Sequence, residues 1–432
     1  MRIQLHKPFD VGYFTPRFFP AIAGGEFYIL NLARQMLEHK DNPLIYCSTS
    51  IDFKGIRTPK GLHISSEHPN YYSYMKIPLK RLNPEYSTRS STLKHIFNHL
   101  EIPYNPIFAN LLKIGPNHSQ FFSEIMNLNK KELKKHHIIH STYLPYATIL
   151  FAYIYSRILG VPSICTPFFH IYNPRYQEQT YISLLRLFEK IIACTHTEKK
   201  FLVDNGLTPQ RIEVIPMGVD PELYKTRILT HSGKVKSFSK FYNLSHPFVL
   251  FCGHKNYEKG AISVLQAALI AKKDIGDLIY VFIGPSTPAF DIELKKARRQ
   301  GLKVLNLTPD NLSGYYDWRK ISAFQECEFY IMPSRSDAYG IAYLEAWASK
   351  KSVIGADNPV MREVIRHEKD GILVEFDNIS QIAENIVFLC NNPDITEEMG
   401  FLGYSKINRS NNWDYIYRCT MDVYKQLVKF DA

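Results

Sequence analysis

Asp337 and Glu345 stand with seven residues between them in the segment Pro333-Ser-Arg-Ser-Asp337-Ala-Tyr-Gly340-Ile-Ala-Tyr-Leu-Glu345-Ala-Trp-Ala348. Two carboxylates at this spacing suit a long polyhydroxylated ligand. One can hold sugar hydroxyls and the other ribose hydroxyls, with a phosphate between them. Phe329-Tyr-Ile-Met332 reads as a buried strand end, Pro333-Ser334 as its break, and Ile341–Ala348 has helix-forming composition. The N–H groups near Tyr339, Gly340 and Ile341 then lie at a helix start, where they lack intrahelical partners and can face an anion. If Asp337 to Glu345 lies along one helix, its rise is about 12 Å, comparable to an extended nucleotide diphosphate sugar.

A second segment has the residues for phosphate. Phe251-Cys-Gly253-His254-Lys-Asn-Tyr-Glu-Lys259-Gly260 ends a strand and opens a helix. A cation there meets phosphate oxygens that also face helix N–H groups. Near the N-terminus, Gly24-Gly25 precedes a helix and permits close backbone approach to an anion or sugar. His170 follows the strand end Ile164-Cys-Thr-Pro-Phe-Phe169, and His140 follows Ile138-Ile139. Histidines at the carboxyl ends of strands are placed to face a ligand.

These residues need a scaffold of alternating strands and helices. In the second half the expected strands are Phe248–Cys252, Leu278–Ile283, Val304–Leu307, Phe329–Met332, Val353–Gly355 and Ile372–Phe376. The expected helices are Lys259–Lys273, Ile292–Gln300, Gly314–Gln325, Ile341–Lys350, Val360–Arg366 and Ile379–Cys390. The first half begins the same way, with a strand at Ile3–Leu5, a helix at Glu26–Glu38 and a strand at Leu44–Ser48. The alternation resumes with Ile138–His140, Tyr146–Ile158, Ser163–Thr166, Ile191–Cys194 and Glu213–Pro216. Such alternation implies α/β architecture, with parallel sheets covered on both faces. Residues 51–136 read as an insertion that does not extend the regular pattern.

The length of 432 residues accommodates two domains. We place an N-terminal domain at 1–216 and a C-terminal domain at 217–412, with a helix at 413–432 returning to the first. The net charge of +11 raises three classes of partner: nucleic acid, an anionic membrane and anionic small ligands. No nucleic-acid motif accompanies it. Residues 51–136 hold thirteen Lys/Arg and six acids among aromatic side chains, a composition suited to peripheral association with an anionic membrane. Seven dispersed cysteines without a Cys-x-x-Cys pair indicate reduced thiols and a cytoplasmic setting. The N-terminus is too short and polar for a signal peptide. The most apolar stretch, near 149–164, is broken by Arg157, Gly160 and Pro162 and should not span a membrane.

The Asp337/Glu345 spacing resembles the Glu-x7-Glu signature of the retaining glycosyltransferases of family 4, with Asp in place of the first Glu. Residues 253–260 are similar to the family's Gly-Arg-x-x-x-x-Lys-Gly motif, with His254 in place of Arg. Ile215-Pro-Met-Gly-Val-Asp220 resembles the family's linker, with Met217 in place of Asn. The likeness covers nearly the whole chain outside 51–136. It implies the GT-B fold, two Rossmann-like doubly wound domains facing across a cleft that holds the donor. It also implies donor contacts from Gly24, Gly25, His254, Lys259, Asp337, Tyr339, Gly340, Ile341 and Glu345, with His170, Lys259 and Asp337 at the reacting centre and His140 in support.

No Asp-x-Asp motif is present, and no metal or cofactor is expected beyond the nucleotide-sugar donor, such as a UDP- or GDP-hexose. The implied activity is transfer of a hexose, with retention, to a glycan or lipid-linked glycan at the cytoplasmic face of the membrane. Two alternatives stay open: another activity of the same fold, such as a nucleotide-sugar epimerase, and a noncatalytic protein that binds glycans or membranes.

Overall fold

The computed structural model describes residues 7–21, 23–56, 58–84, 94, 98, 136–173, 176, 179–226, 229 and 235–428. The chain divides into two compact units, one formed by Met1–Ile215 with Ile416–Ala432 and the other by Pro216–Tyr415.

In the first unit the chain runs β1 (Asp10–Phe14), α1 (Gly24–Glu38), β2 (Asn42–Ser48), β3 (Ser73–Tyr74), β4 (Ile77–Leu82), β5 (Ile138–Thr142), α2 (Thr148–Leu159), β6 (Ser163–Thr166), α3 (Gln179–Leu185), β7 (Lys190–Ala193), α4 (His196–Asp204) and β8 (Ile212–Val214). The sheet order is β3-β4-β2-β1-β5-β6-β7-β8. Among the described residues only the β3–β4 pair of this sheet is antiparallel. One core cluster joins Phe14, Tyr46, Leu82, Ile139, Ala152 and Tyr155. At its edge the Tyr46 hydroxyl meets His136 Nε2 at 2.9 Å and the Tyr155 hydroxyl at 3.1 Å.

One expectation for this unit is untested and one needs correction. The expected strand at Ile3–Leu5 lies outside the described residues, and the central strand is Asp10–Phe14. Gly12 disguised it. A Cβ at that position would come within 2.7 Å of Ile139 Cδ1, so the glycine marks close packing rather than a turn. The region 51–136 is not wholly outside the sheet either. Within it, β4 continues the parallel ladder, pairing Ile45 with Leu79 and Ser48 with Leu82. Pro78 obscured this strand. It sits beside the two-residue β3, where a missing N–H costs little.

The second unit begins with two short helices, α5 (Pro221–Lys225) and α6 (Phe238–Phe241). It continues β9 (Phe248–Cys252), α7 (Ala261–Ile275), β10 (Ile279–Ile283), α8 (Pro288–Arg299), β11 (Lys303–Leu307), α9 (Trp318–Glu326), β12 (Tyr330–Met332), α10 (Ile341–Ala348), β13 (Val353–Ala356), α11 (Pro359–Val364), β14 (Ile372–Val374), α12 (Ile379–Asn391) and α13 (Pro393–Ser410). Its sheet is wholly parallel, in the order β11-β10-β9-β12-β13-β14. The reversal of direction beside β9 and β12 makes a switch point at their carboxyl ends, where open α/β sheets bind ligands. A last helix, α14 (Trp413–Leu427), starts here, and its residues from Ile416 onward belong to the first unit.

The expected helix over Gly314–Gln325 starts later, at Trp318. Asp317 is its N-cap and accepts from Arg319 N. α13 was not anticipated. Gly403 on it leaves room for the buried Trp347 ring, whose Nε1 donates to Asp370 O at 2.7 Å. Met217 is buried in the linker, and its carbonyl accepts from Asn411 Nδ2 at 2.9 Å.

Candidate functional site

Two loops meet at the carboxyl ends of β9 and β12. One runs 253–260 into α7 and the other 333–340 into α10. Both helices open on a glycine in the left-handed region, Gly260 at φ 72° and Gly340 at φ 89°, and neither has a side-chain cap. A Cβ at Gly260 would lie 2.5 Å from Pro333 O, so the two loops touch backbone to side. The Arg335 N–H donates to Glu258 O at 2.8 Å and fixes their mutual register.

This contact brings Lys259 and Asp337 together as an ion pair. Lys259 Nζ also lies 3.4 Å from Ser336 O, and the Lys259 N–H donates to Asn256 Oδ1 at 2.9 Å. The second carboxylate oxygen of Asp337 and the Ser336 hydroxyl are buried with no hydrogen-bond partner. Unsatisfied polar atoms beside an uncapped helix start are what a polar ligand would complete. Asp337 precedes the helix and does not lie on it, because Gly340 turns the chain and α10 begins only at Ile341. The expected helical rise between the two carboxylates therefore does not apply. Tyr339 is buried, and its hydroxyl accepts from Asn411 Nδ2 at 2.7 Å.

Glu345, on the second turn of α10, is 2% exposed. Its Oε1 accepts from Tyr224 at 2.6 Å, Tyr315 at 3.0 Å and Lys320 Nζ at 2.7 Å. Lys320 Nζ also lies 3.6 Å from the centre of the Tyr315 ring. Burial first, and the Glu345 charge second, hold both tyrosines protonated well above the usual phenol range. All three contacts fall on one carboxylate oxygen. Tyr315 and Lys320 were not anticipated. The one sequence signal was a lysine set among the apolar residues of α9, beside Ile321 and Ala323.

His254 faces solvent at the start of the 253–260 loop. Crowding by protein atoms, then the charges of Lys259 and Lys255, lower its pKa below the ordinary imidazole value. The ring stays accessible, so solvent tempers the first effect and the two neighbouring cations are its more specific cause.

In the first unit, Gly24 and Gly25 form the start of α1. A Cβ on Gly25 would lie 2.2 Å from Tyr143 Cδ1. The next residue, Glu26, is fully buried and accepts from Arg17 Nε at 2.8 Å, Tyr143 at 2.9 Å and Ala23 N at 3.1 Å. Burial works against the charge on Arg17, but Glu26 outweighs it and holds the guanidinium charged. His140 is buried between the Tyr424 hydroxyl at 2.6 Å and Thr166 Oγ1 at 2.8 Å. Burial drives its pKa to about 3, so it is a neutral support. His170 is partly exposed after β6, with its ring 5.0 Å from that of Tyr176. Phe168, two residues earlier, packs edge-on against Tyr28 of α1. Glu198 fixes this loop by accepting from Phe169 N at 2.9 Å and Cys194 N at 2.7 Å.

Two α/β units built on largely parallel sheets are the architecture of the GT-B glycosyltransferases. A glycosyltransferase from Rickettsia africae has the same fold, with a TM-score of 0.72 and 17% identity over 99% of this chain and 100% of that one. So does the Anabaena HepE protein in complex with UDP and glucose, with a TM-score of 0.66 and 15% identity over 97% and 100%. In sequence, residues 22–223 match the family described as Glycosyltransferase Family 4, and residues 235–405 match Glycosyl transferases group 1. The chain belongs to the family 4 type of glycosyltransferase. An uncharacterized glycosyltransferase of Methanocaldococcus jannaschii is 27% identical over 209 residues, 48% of this chain and 55% of the relative. The chain spans a little over half the length of the curated relatives it matches first.

Among the described residues no helix is long and apolar enough to cross a membrane. All seven cysteines are free.

Proposed function

We propose that the protein is a metal-independent, retaining glycosyltransferase that moves a hexose from a nucleotide-sugar donor to a glycan or lipid-linked glycan. The observation that carries this reading is the junction of Lys259 with Asp337 between two uncapped helix starts. Breaking the anomeric C–O bond leaves positive character on the sugar and negative charge on the departing nucleoside diphosphate. Lys259 and the N–H groups near Tyr339–Ile341 stabilise that growing charge, which needs fixed donors more than a mobile ion. Asp337 exchanges part of its contact with Lys259 for a sugar hydroxyl, and its unpartnered oxygen suits a hydroxyl donor. Glu345 presents its remaining oxygen to the ribose.

The acceptor oxygen attacks on the face from which the diphosphate departs, and its proton passes to a departing phosphate oxygen. The new C–O bond replaces the broken one on the same face. Gly24 and Gly25 give close backbone approach to the sugar rather than to the diphosphate, and His170 contacts the donor sugar near the reacting carbon. The basic stretch at 51–136 suits residence at the cytoplasmic membrane face, where lipid-linked acceptors are presented.

A panel of UDP- and GDP-hexoses with membrane-extracted acceptors, read by mass spectrometry, tests the proposal. A hexose added to an acceptor with stoichiometric release of nucleoside diphosphate is expected. Conversion of a nucleotide sugar to its epimer without acceptor would overturn it, as would binding of acceptor glycans with no release from any donor.

A further inference from the structure

Lys255 follows His254 in the 253–260 loop and is completely buried. Its Nζ donates to Asn306 Oδ1 at 2.5 Å and to Leu307 O at 2.9 Å, both at the end of β11. Its own N–H donates to Pro285 O at 2.8 Å, and its carbonyl accepts from Thr287 Oγ1 at 2.8 Å. The loop is thus bound to the ends of β10 and β11 with no slack. A Cβ on Gly284 would lie 2.1 Å from Gly253 O.

The ammonium's hydrogen-bond partners are neutral oxygens. Asp291 of α8 acts on it only through space, and Asp291 Oδ1 is already taken by the Ser286 hydroxyl at 2.7 Å. The Cys252 thiol on β9 is pushed up to about 12 by burial and stays neutral. On its own loop the charged groups are His254, when protonated, Lys259, and Glu258, whose carboxylate is paired with Arg335. A buried cation without a bound counter-ion is costly, and packing alone would be served better by an apolar side chain. The cost falls when an anion arrives above the loop.

We propose that Lys255 is a positioning residue for the donor diphosphate. It anchors the loop to β11 and supplies, from beneath, a positive charge that the imidazole of His254 does not hold permanently. The inference rests on the reading of this loop as the donor-phosphate site.

Burial lowers the Lys255 pKa to about 8, with Asp291 and Cys252 opposing. Lys255 is therefore a cation below that pH and loses its charge above it, whereas His254 titrates on the acid side. The test is calorimetric titration of UDP and GDP, between about pH 6.5 and 9.5, into the full chain and into the double variant Lys255→Met/Asn306→Leu. The double change removes donor and acceptor together, which limits damage to the fold.

Affinity in the double variant should fall about tenfold at neutral pH. Wild-type affinity should fall as pH rises through about 8, and this slope should vanish in the variant. Binding to the wild type near that pH should also take up protons, seen as a heat that changes with the buffer. That measurement needs no variant and stands even if the variant does not fold. A folded double variant with wild-type affinity and pH profile would reduce Lys255 to a structural staple, and absence of proton uptake would do the same. A wild-type protein that binds neither nucleotide would remove the donor-site reading as well.

Discussion

The starts of α1 and α10 look alike in sequence, each a glycine before an apolar helix, yet they differ in what occupies them. At α1, Glu26 turns back to accept from Ala23 N, and Arg17 and Tyr143 complete it. That start is already filled by the chain's own carboxylate. At α10 the first turn contains no acidic residue and no cap, and the nearest carboxylate, Asp337, is drawn to Lys259. A diphosphate would meet repulsion at the first and free N–H groups at the second. The glycines consequently have different tasks. Gly25 makes room for Tyr143, and Gly340 exposes backbone.

Lys259→Ala should break this contrast most severely. Turnover should fall by about 10²–10³, the scale of losing one preorganised donor to a transition-state charge. Initial rates of nucleoside diphosphate release check it, and a folded variant with wild-type rates would show that the uncapped helix starts suffice alone.

Next in size are two truncations that strand a buried cation. Glu345→Ala leaves Lys320 and Glu26→Ala leaves Arg17 without its carboxylate. Each should lose about 3–5 kcal/mol in urea unfolding. Gly25→Ala is smaller, about 1–3 kcal/mol, because the Tyr143 ring must shift to admit a methyl group. Equal stability of this variant and the wild type would remove the packing role assigned to that glycine.

The second unit was the more readable from sequence because its strands are short apolar runs separated by amphipathic helices. Every strand expected there exists within one or two residues at each end. Motif spacing also placed Lys259, Asp337 and Gly340 at strand-to-helix turns, but β9 and β12 have two strands between them in chain order, and it is the sheet order that makes their loops adjoin. Partners distant in sequence left no trace. Nothing in the residues around Glu345 predicts Tyr224, Tyr315 and Lys320, and nothing around Gly25 predicts Tyr143. In the first unit, Gly12 and Pro78 have local preferences that oppose a strand. Tertiary packing against Ile139 and the edge position beside β3 override that preference.

The smallest expected effect concerns His254 and sharpens the comparison rather than breaking it. Its pKa lies below the ordinary imidazole value, by burial and by the charges of Lys259 and Lys255, so the ring is mostly neutral at pH 7. A diphosphate favours the protonated ring. Donor affinity should therefore rise as pH falls toward the acid side and decline as the proton is lost. His254→Arg installs a charge that does not titrate there. The variant should bind donor a few-fold more tightly at neutral pH, and its affinity should no longer change across the acid range. The measurement is the donor KM against pH for the two proteins. An unchanged acid-side profile in the arginine variant would mean that His254 faces away from the phosphates, leaving Lys259, Lys255 and the helix starts as the whole of the anion site.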